Sequence, residues 1–333
     1  MASTFMKAVN ARGIRNAASL VASLVAATAF LSCSEEPETT VPAVSCLSGL
    51  ATNTEFTGET EITVSGYTGN AMEPRISHDQ VVLFFNDKPA SDADMNVHYA
   101  IRQSATVYNY IGTVPGTVAS GYLDGVPAID SSGNFYFIST RDYPTNSQTV
   151  FSGVLAVLGP SSLQVNSVAA ADTAVKLSVT GALDMDLDVS WDGTLAVVSR
   201  AIFGGRSYPD SSRLELFDVS SRALQTRSDG QSVFANVNRA GCAVYAGALS
   251  SDKKEVFYSL FPIGAPTAAD FRVMIAKRNS TTEAFAAGEV ISAVTKNLAE
   301  GPSLTIDDGG KTLYYHRFDP VSSSFKIYKV TRP

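Results

Sequence analysis

One pattern of hydrophobic and polar positions recurs five times along the chain, at intervals of 53 to 60 residues. Each copy begins with small and apolar residues, passes through a turn of Ser, Asp, Gly or Asn, and ends in an apolar run. Such residues favour tight turns, and a near-continuous apolar run predicts a strand buried on both faces. The copies are "PRISHDQVVLFFN" from Pro74, "PAIDSSGNFYFIS" from Pro127, "LDVSWDGTLAVVS" from Leu187, "GALSSDKKEVFYS" from Gly247 and "PSLTIDDGGKTLYYH" from Pro302.

Each of these hairpins is followed by weaker strand-like segments, so that one repeat encodes four strands. Repeats of this length and content predict an all-β fold, a β-propeller with one four-stranded blade per repeat. The chain ends at the third strand of the last repeat, and an unassigned alternating segment, residues 61–67, precedes the first repeat. We therefore expect five blades, the last of them closed by this N-terminal strand. The alternative is six blades, with a further repeat within residues 161–182.

The phrase Pro-x-hydrophobic-Ser-x-Asp-Gly before an apolar strand resembles the WD-like repeats of TolB-type propellers, a periplasmic bacterial family. The copy from Leu187 is the nearest match, and the resemblance covers residues from about 60 to 333. It implies a fold rather than an activity, because the repeated residues are turn and core positions. Residues 34–58 are too short for the separate N-terminal domain of TolB, so its translocation role is not implied.

The N-terminus differs from the rest of the chain. Lys7, Arg12 and Arg15 precede an apolar run at residues 17–31. That run is shorter than the about 20 residues of a membrane span, and its basic flank is typical of an export signal. The run ends in "FLSC", and an acidic, Pro- and Thr-containing segment follows Cys33. This arrangement resembles the lipobox of bacterial lipoproteins, in which the cysteine becomes the lipidated first residue.

The lipobox resemblance implies three regions: a signal peptide at 1–32, lipidated Cys33 with a flexible linker at 33–58, and the propeller at 59–333. Because Ser34 rather than Asp follows the cysteine, it also implies an outer-membrane anchor, with the propeller on the periplasmic or the surface face. The alternative is cleavage after Ala29, which would release a soluble secreted or periplasmic protein.

Two cysteines remain if Cys33 carries lipid. Export into an oxidising compartment permits a disulfide between Cys46 and Cys242. The alternative is two unpaired thiols, with Cys242 buried.

The composition of the chain limits which classes of binding partner are expected. Charged residues make up 17 %, the formal net charge is −7, and no dense basic run occurs after residue 15. A nucleic-acid ligand is therefore not expected, since binding it requires basic side chains that neutralise phosphates. The membrane is expected as a partner through the lipid anchor alone.

Acidic residues stand at or just before the predicted innermost strands of four repeats. They are Glu73, Asp124, Asp184, Asp186 and Glu300. Loops that enter the innermost strands of a propeller converge on one mouth of its channel, so these carboxylates could face one another. Such a ring would raise its own pKa values or recruit a cation, such as calcium, or an array of hydroxyls. It is similar to the three channel carboxylates of arabinanase-type five-bladed glycosidases. The alternative is that the acids cap turns.

No other constellation points to chemistry. The sequence contains no nucleophile elbow and no metal-ligand spacing, and His78, His98 and His316 are interpreted as turn or surface residues. Trp191, in the turn of the third repeat, either contacts a partner or packs against the neighbouring blade.

These observations favour a non-enzymatic, lipid-anchored cell-envelope propeller that binds a protein or small ligand, without a cofactor. The alternative is a carbohydrate-active hydrolase that uses the channel acids.

Overall fold

The computed structural model describes residues 46–89, 94–173, 179–204, 208–264, 266–294, 298–304 and 309–333. The predicted signal peptide and Cys33 lie outside these ranges. Within them the regular structure is β-strand apart from single helical turns at Tyr143–Asn146, Ser232–Phe234, Ala268–Asp270 and Ser292–Val294. No helix in the described ranges has the length and apolarity to cross a membrane.

Two strands, β1 (Ala51–Asn53) and β2 (Thr57–Ser65), precede the repeats, and each repeat then forms a group of antiparallel strands. The first group contains β3 (Met72–Ile76), β4 (Val82–Asn86), β5 (Val97–Arg102) and β6 (Val107–Thr113). The second contains β7 (Asp124–Ile129), β8 (Asn134–Ser139), β9 (Val150–Gly159) and β10 (Ser162–Ala170). The third contains β11 (Ala182–Val189), β12 (Leu195–Ile202), β13 (Ser211–Ser220) and β14 (Ala223–Thr226).

The last two groups complete the order. The fourth contains β15 (Cys242–Leu249), β16 (Glu255–Pro262), β17 (Arg272–Lys277) and β18 (Glu289–Ile291). The fifth contains β19 (Glu300–Leu304), β20 (Thr312–Asp319) and β21 (Ser324–Thr331) from the end of the chain.

The fourth strand of the fifth group comes from the N-terminus. Strand β2 pairs antiparallel with β21, with Glu61 opposite Tyr328 and Ile62 opposite Ile327. The first strands of the five groups contact one another in chain order, and β19 contacts β3. The all-β prediction and the closure by an N-terminal strand are therefore confirmed. The closing strand begins earlier than residues 61–67 and ends at Ser65.

The repeated Ser-x-Asp phrase builds one kind of turn. In three groups the serine hydroxyl donates to the aspartate two residues on, at 2.6–2.8 Å. The same hydroxyl accepts from the backbone N–H five residues on, at 2.8–2.9 Å. These serines are Ser77, Ser190 and Ser250. Because side chains satisfy the turn's polar groups locally, the chain can enter the next buried strand without orphaned N–H groups.

The core lies between neighbouring groups, where the aromatic second strands pack. Phe84 contacts Phe135 edge-on at 5.1 Å between ring centroids, joining the first two groups. Both side chains are fully buried, as the apolar runs predict. Burying one such side chain contributes roughly 1.5–3 kcal/mol, so these contacts are a main source of stability.

The segment before the closing strand also packs against the sheets. Strand β1 pairs in parallel with β18, and Phe56 contacts Phe257 edge-on at 5.9 Å. Cys46 forms a disulfide with Cys242, with a Cα–Cα distance of 5.7 Å. The part of the predicted flexible linker from residue 46 onward is therefore folded against the fourth group, ahead of the predicted boundary at residue 59.

Candidate functional site

A bulge interrupts the innermost strand of every group. In four of them one residue has a positive φ: Glu73 at 50°, Val126 at 53°, Ala246 at 52° and Gly301 at 65°. Bulges turn side chains away from the regular alternation of a strand and are common beside active sites. Here they lie around one cavity in the channel, which all four of these residues line.

Side chains from the preceding group hold these bulged residues in place. The backbone N–H of Val126 donates to Asn86 Oδ1, that of Ala246 to Ser199 Oγ and that of Gly301 to Ser259 Oγ, all at 2.9–3.1 Å. At the ring closure the N–H of Glu73 donates to His316 Nδ1 at 3.0 Å. Each bond satisfies a buried N–H that the bulge removes from the strand ladder.

Three of the five predicted acids come together. Glu73 and Asp186 line the cavity, and Glu300 lies within electrostatic reach of both. All three are buried, with exposures of 5 %, 4 % and 1 %. The cavity has a volume of about 30 Å³, the space of about one or two water molecules.

The electrostatics of Glu73 and Asp186 are unusual. Burial, followed by repulsion from Asp186 and Glu300, raises the pKa of Glu73 well above its ordinary value. Burial, followed by repulsion from Asp188 and Glu300, does the same to the pKa of Asp186. Neither oxygen of Glu73 has a hydrogen-bond partner among the described residues, and the same holds for the buried Ser303 hydroxyl beside the cavity. Buried polar groups are nearly always paired, so this arrangement is suited to a bound ligand.

The other two predicted acids do not join this set. Asp124 binds Arg141 Nη2 at 2.7 Å and accepts from the N–H of Ala119. Asp184 binds Arg200 Nε at 2.9 Å. Neither lines the cavity, so the expectation that all five acids face one another is wrong for these two. They are buried ion pairs within their own groups.

Arg75 spans the channel on the turn side of the acids. It forms an ion pair with Asp188 at 2.6 Å and donates to the carbonyl oxygens of Ile129 and Val189. One side chain thus joins the first, second and third groups. Its charge is balanced by Asp188, and no described residue forms an ion pair with Glu73 or Asp186.

Trp191 stacks on His78, with ring centroids 4.0 Å apart and planes 15° from parallel. This contact joins the turns of the first and third groups. The Trp191 ring therefore packs against another group, as the second of the two interpretations expects, and a contact with a partner stays a prediction.

Sequence reasoning missed two residues near the acids. His316 is fully buried, contrary to its interpretation as a turn or surface residue, and its Nε2 lies 3.3 Å from Glu300 Oε1. Burial and the charge of Glu300 raise the pKa of Tyr208, which lies in the segment between β12 and β13. His98 is also buried and contacts Tyr110 and Asp87. Of these three residues, the sequence indicated burial only for His316, since "YYHR" continues a strand that is predicted to be buried.

The suggested channel calcium ion has no preformed ligand set in the described ranges. No group of three His, Cys, Asp or Glu side chains there is arranged to hold a metal ion.

Comparison with known proteins defines the fold. No protein-family model and no curated protein matches the sequence. A thermostable family-43 glycoside hydrolase is similar in structure, with a TM-score of 0.53 and 13 % identity over 81 % of this chain and 91 % of that one. The α-L-arabinanase of Cellvibrio cellulosa, solved with arabinohexaose, has a TM-score of 0.52 and 12 % identity over 79 % of this chain and 92 % of that one. The fold is therefore all-β and propeller-like.

The structures that are similar to this chain include TolB, with a lower TM-score than the two glycoside hydrolases. TolB from Acinetobacter baumannii gives a TM-score of 0.41 and 12 % identity over 79 % of this chain and 55 % of that one. Likenesses at such identities concern the fold alone, so any activity has to be argued from the residues of the cavity.

Proposed function

We propose that this protein is a carbohydrate-active hydrolase whose acid and base are Glu73 and Asp186. The observation that carries the proposal is the pair of buried carboxyl groups at one cavity, each with a raised pKa. Burial and the repulsion from neighbouring carboxylates favour the protonated form of each group, so the two are not both ionised as readily as exposed acids. Glycoside hydrolysis uses such a pair: a protonated carboxyl as the general acid and an ionised one as the base or nucleophile.

The roles follow from the surroundings of each acid. Burial and repulsion from Asp186 and Glu300 favour the neutral form of Glu73, so we assign it as the general acid. Asp186 is then the general base. Glu300, which interacts with His316, is the anion that raises the pKa of both. The cavity has room for a water rather than a sugar ring. The sugar would therefore bind at the channel mouth, and the water would attack it from the cavity. The assignment of Asp186 as a base that activates water, rather than as a nucleophile, implies inversion of the anomeric configuration.

The proposal replaces the non-enzymatic binding module as the better-supported reading. That reading depended on the lack of a catalytic constellation, whereas three of the acids converge. The similar structures with TM-scores above 0.5 named above are both glycoside hydrolases, which supports the same choice without deciding it. We also propose five blades rather than six, because the five repeats account for every strand group in the described ranges.

The test is release of reducing sugar by the wild-type protein from arabinan and other plant and bacterial polysaccharides. We expect release from at least one of them, with proton NMR of the fresh product showing inverted configuration. Folded protein that binds one of these glycans without cleaving it would instead support the binding module. If the protein neither binds nor cleaves any glycan in the set, the hydrolase proposal is contradicted.

We propose further that Cys33 anchors the protein to the outer membrane. The proposal depends on the sequence between residues 17 and 34. Cells grown with labelled palmitate should yield a labelled protein in the outer-membrane fraction, and Cys33→Ala should lose the label. Soluble, unlabelled wild-type protein that begins at Phe30 would establish the alternative cleavage after Ala29.

A further inference from the structure

His316 lies at the junction of the first and last strand groups, close to the acids. It is fully buried on β20, its Nδ1 accepts from the N–H of Glu73 at 3.0 Å, and its Nε2 lies 3.3 Å from Glu300 Oε1. One imidazole therefore contacts the backbone of one acid and the side chain of another.

The contact with Glu73 fixes the tautomer of His316. A backbone N–H can only donate, so Nδ1 must carry a lone pair and the proton of the neutral ring must be on Nε2. This proton points toward Glu300, and a donor at that distance favours the ionised carboxylate. The doubly protonated ring would set its Nδ1–H against the N–H of Glu73, so the charged form is disfavoured.

The neighbours of His316 leave it little freedom. A Cβ at Gly301 would lie 2.9 Å from Nδ1 and 3.3 Å from Glu73 Cγ, so the close approach requires glycine. Phe325 on β21 contacts the ring edge-on at 5.5 Å. The charged groups that act on it are Glu300 on β19 and Lys88 after β4, and the titratable residue Glu73 on β3 contacts it through its backbone N–H. Burial is the main cause that lowers the pKa of His316, and the charge of Glu300 opposes it.

We propose that His316 is a positioning residue for the channel acids. Through Nε2–H it keeps Glu300 ionised, and through Nδ1 it holds the bulged backbone of Glu73. Glu300 in its ionised form repels negative charge on Glu73 and Asp186, so His316 acts on both without touching a substrate. The inference rests on the proposed function for its kinetic consequence, but the protonation states that it assigns do not depend on any activity.

Two substitutions separate the two contacts. The amide of His316→Asn reaches the position of Nδ1 and can accept from Glu73 N–H, but it does not reach Glu300. The amide of His316→Gln reaches the position of Nε2 and can donate to Glu300. In His316→Asn, Glu300 loses the Nε2–H donor, which raises the pKa of Glu300 and weakens its repulsion of charge on Glu73, so Glu73 should ionise at lower pH.

We expect the basic limb of the kcat/KM profile to move down by about one pH unit in His316→Asn and to stay in place in His316→Gln. At pH values well above the limb this corresponds to a roughly tenfold loss for the first variant only. A residue that served packing alone would lower activity in both without moving the limb. An unshifted limb in His316→Asn would overturn the proposal.

NMR gives a readout that needs no activity. Nitrogen shifts of the labelled wild-type protein should show a neutral His316 with its proton on Nε2 at pH 7. The carboxyl carbon of Glu73 should titrate about one unit lower in His316→Asn than in the wild type. If the wild type cleaves no glycoside while these results hold, the proposed function fails and the inference stands. A ring protonated on Nδ1 contradicts the inference whatever the activity, and this test remains if neither variant folds.

Discussion

Glu73→Gln is expected to abolish most of the activity while making the protein more stable at neutral pH. Loss of a general acid lowers kcat roughly 10²–10⁴-fold. Removing an ionisable group that is buried without a hydrogen-bond partner should raise the free energy of unfolding by about 1–3 kcal/mol at pH 7. Glutamine has the shape of the neutral acid, and its amide can donate toward Asp186 or Glu300.

The gain in stability should depend on pH in one direction. The pKa of Glu73 is raised in the folded protein, so the unfolded chain releases this proton at lower pH than the native one. The contribution of Glu73 to stability is therefore present below its ordinary pKa and is lost as pH rises through the folded pKa. Urea unfolding from pH 4 to pH 8 should show equal stabilities at the acidic end and a growing advantage for Glu73→Gln toward neutral pH.

Asp79→Asn provides the matched control, because Asp79 is an exposed acid in the turn of the same strand group. It accepts from Ser77 Oγ and the N–H of Val81, and an asparagine oxygen can do the same. We expect unchanged kcat and a stability within about 0.5 kcal/mol of the wild type. Full activity in Glu73→Gln, or lower stability at pH 7, would contradict the roles assigned to the cavity.

Removing the disulfide should lower the free energy of unfolding by roughly 2–5 kcal/mol. The bond joins Cys46 to Cys242, 196 residues apart, so it closes a loop that contains the first three strand groups. A long closed loop restricts the unfolded chain strongly. Cys46→Ala/Cys242→Ala and reduced wild-type protein should show the same loss in denaturant unfolding.

Hydrogen exchange distinguishes a global effect from a local one. If the bond acts on the whole ring, protection should fall in β15 and β16 as well as in β1. If exchange rises only at β1 and its partner β18 while the denaturation midpoint is unchanged, the bond merely fastens the N-terminal segment. That outcome would contradict the expected loss.

The repeats made most of the fold predictable. Ser-x-Asp turns followed by apolar runs gave the hairpins, because both the turn hydrogen bonds and the burial of the second strand are local consequences of the sequence. The closing strand could be inferred by counting, since the last repeat lacked one strand and the N-terminus offered one.

The site was harder to predict because bulges break the alternation of side chains. Asp184 and Asp186 are two residues apart and would share a face of a regular strand, but the register shifts between them. Asp186 consequently reaches the cavity while Asp184 binds Arg200. Spacing alone also could not show that Asp124 has Arg141 as a partner, since that contact depends on which rotamers the packed sheet permits.

Closure by β2 has a consequence for how the chain reaches its native state. The strand that ends at Ser65 has an open edge until the segment that ends at Thr331 is available to pair with it. Until then the incomplete ring is exposed to pairing with the wrong strand, so a holding chaperone that covers the early part of the chain should matter more for its yield than one that acts on the finished protein.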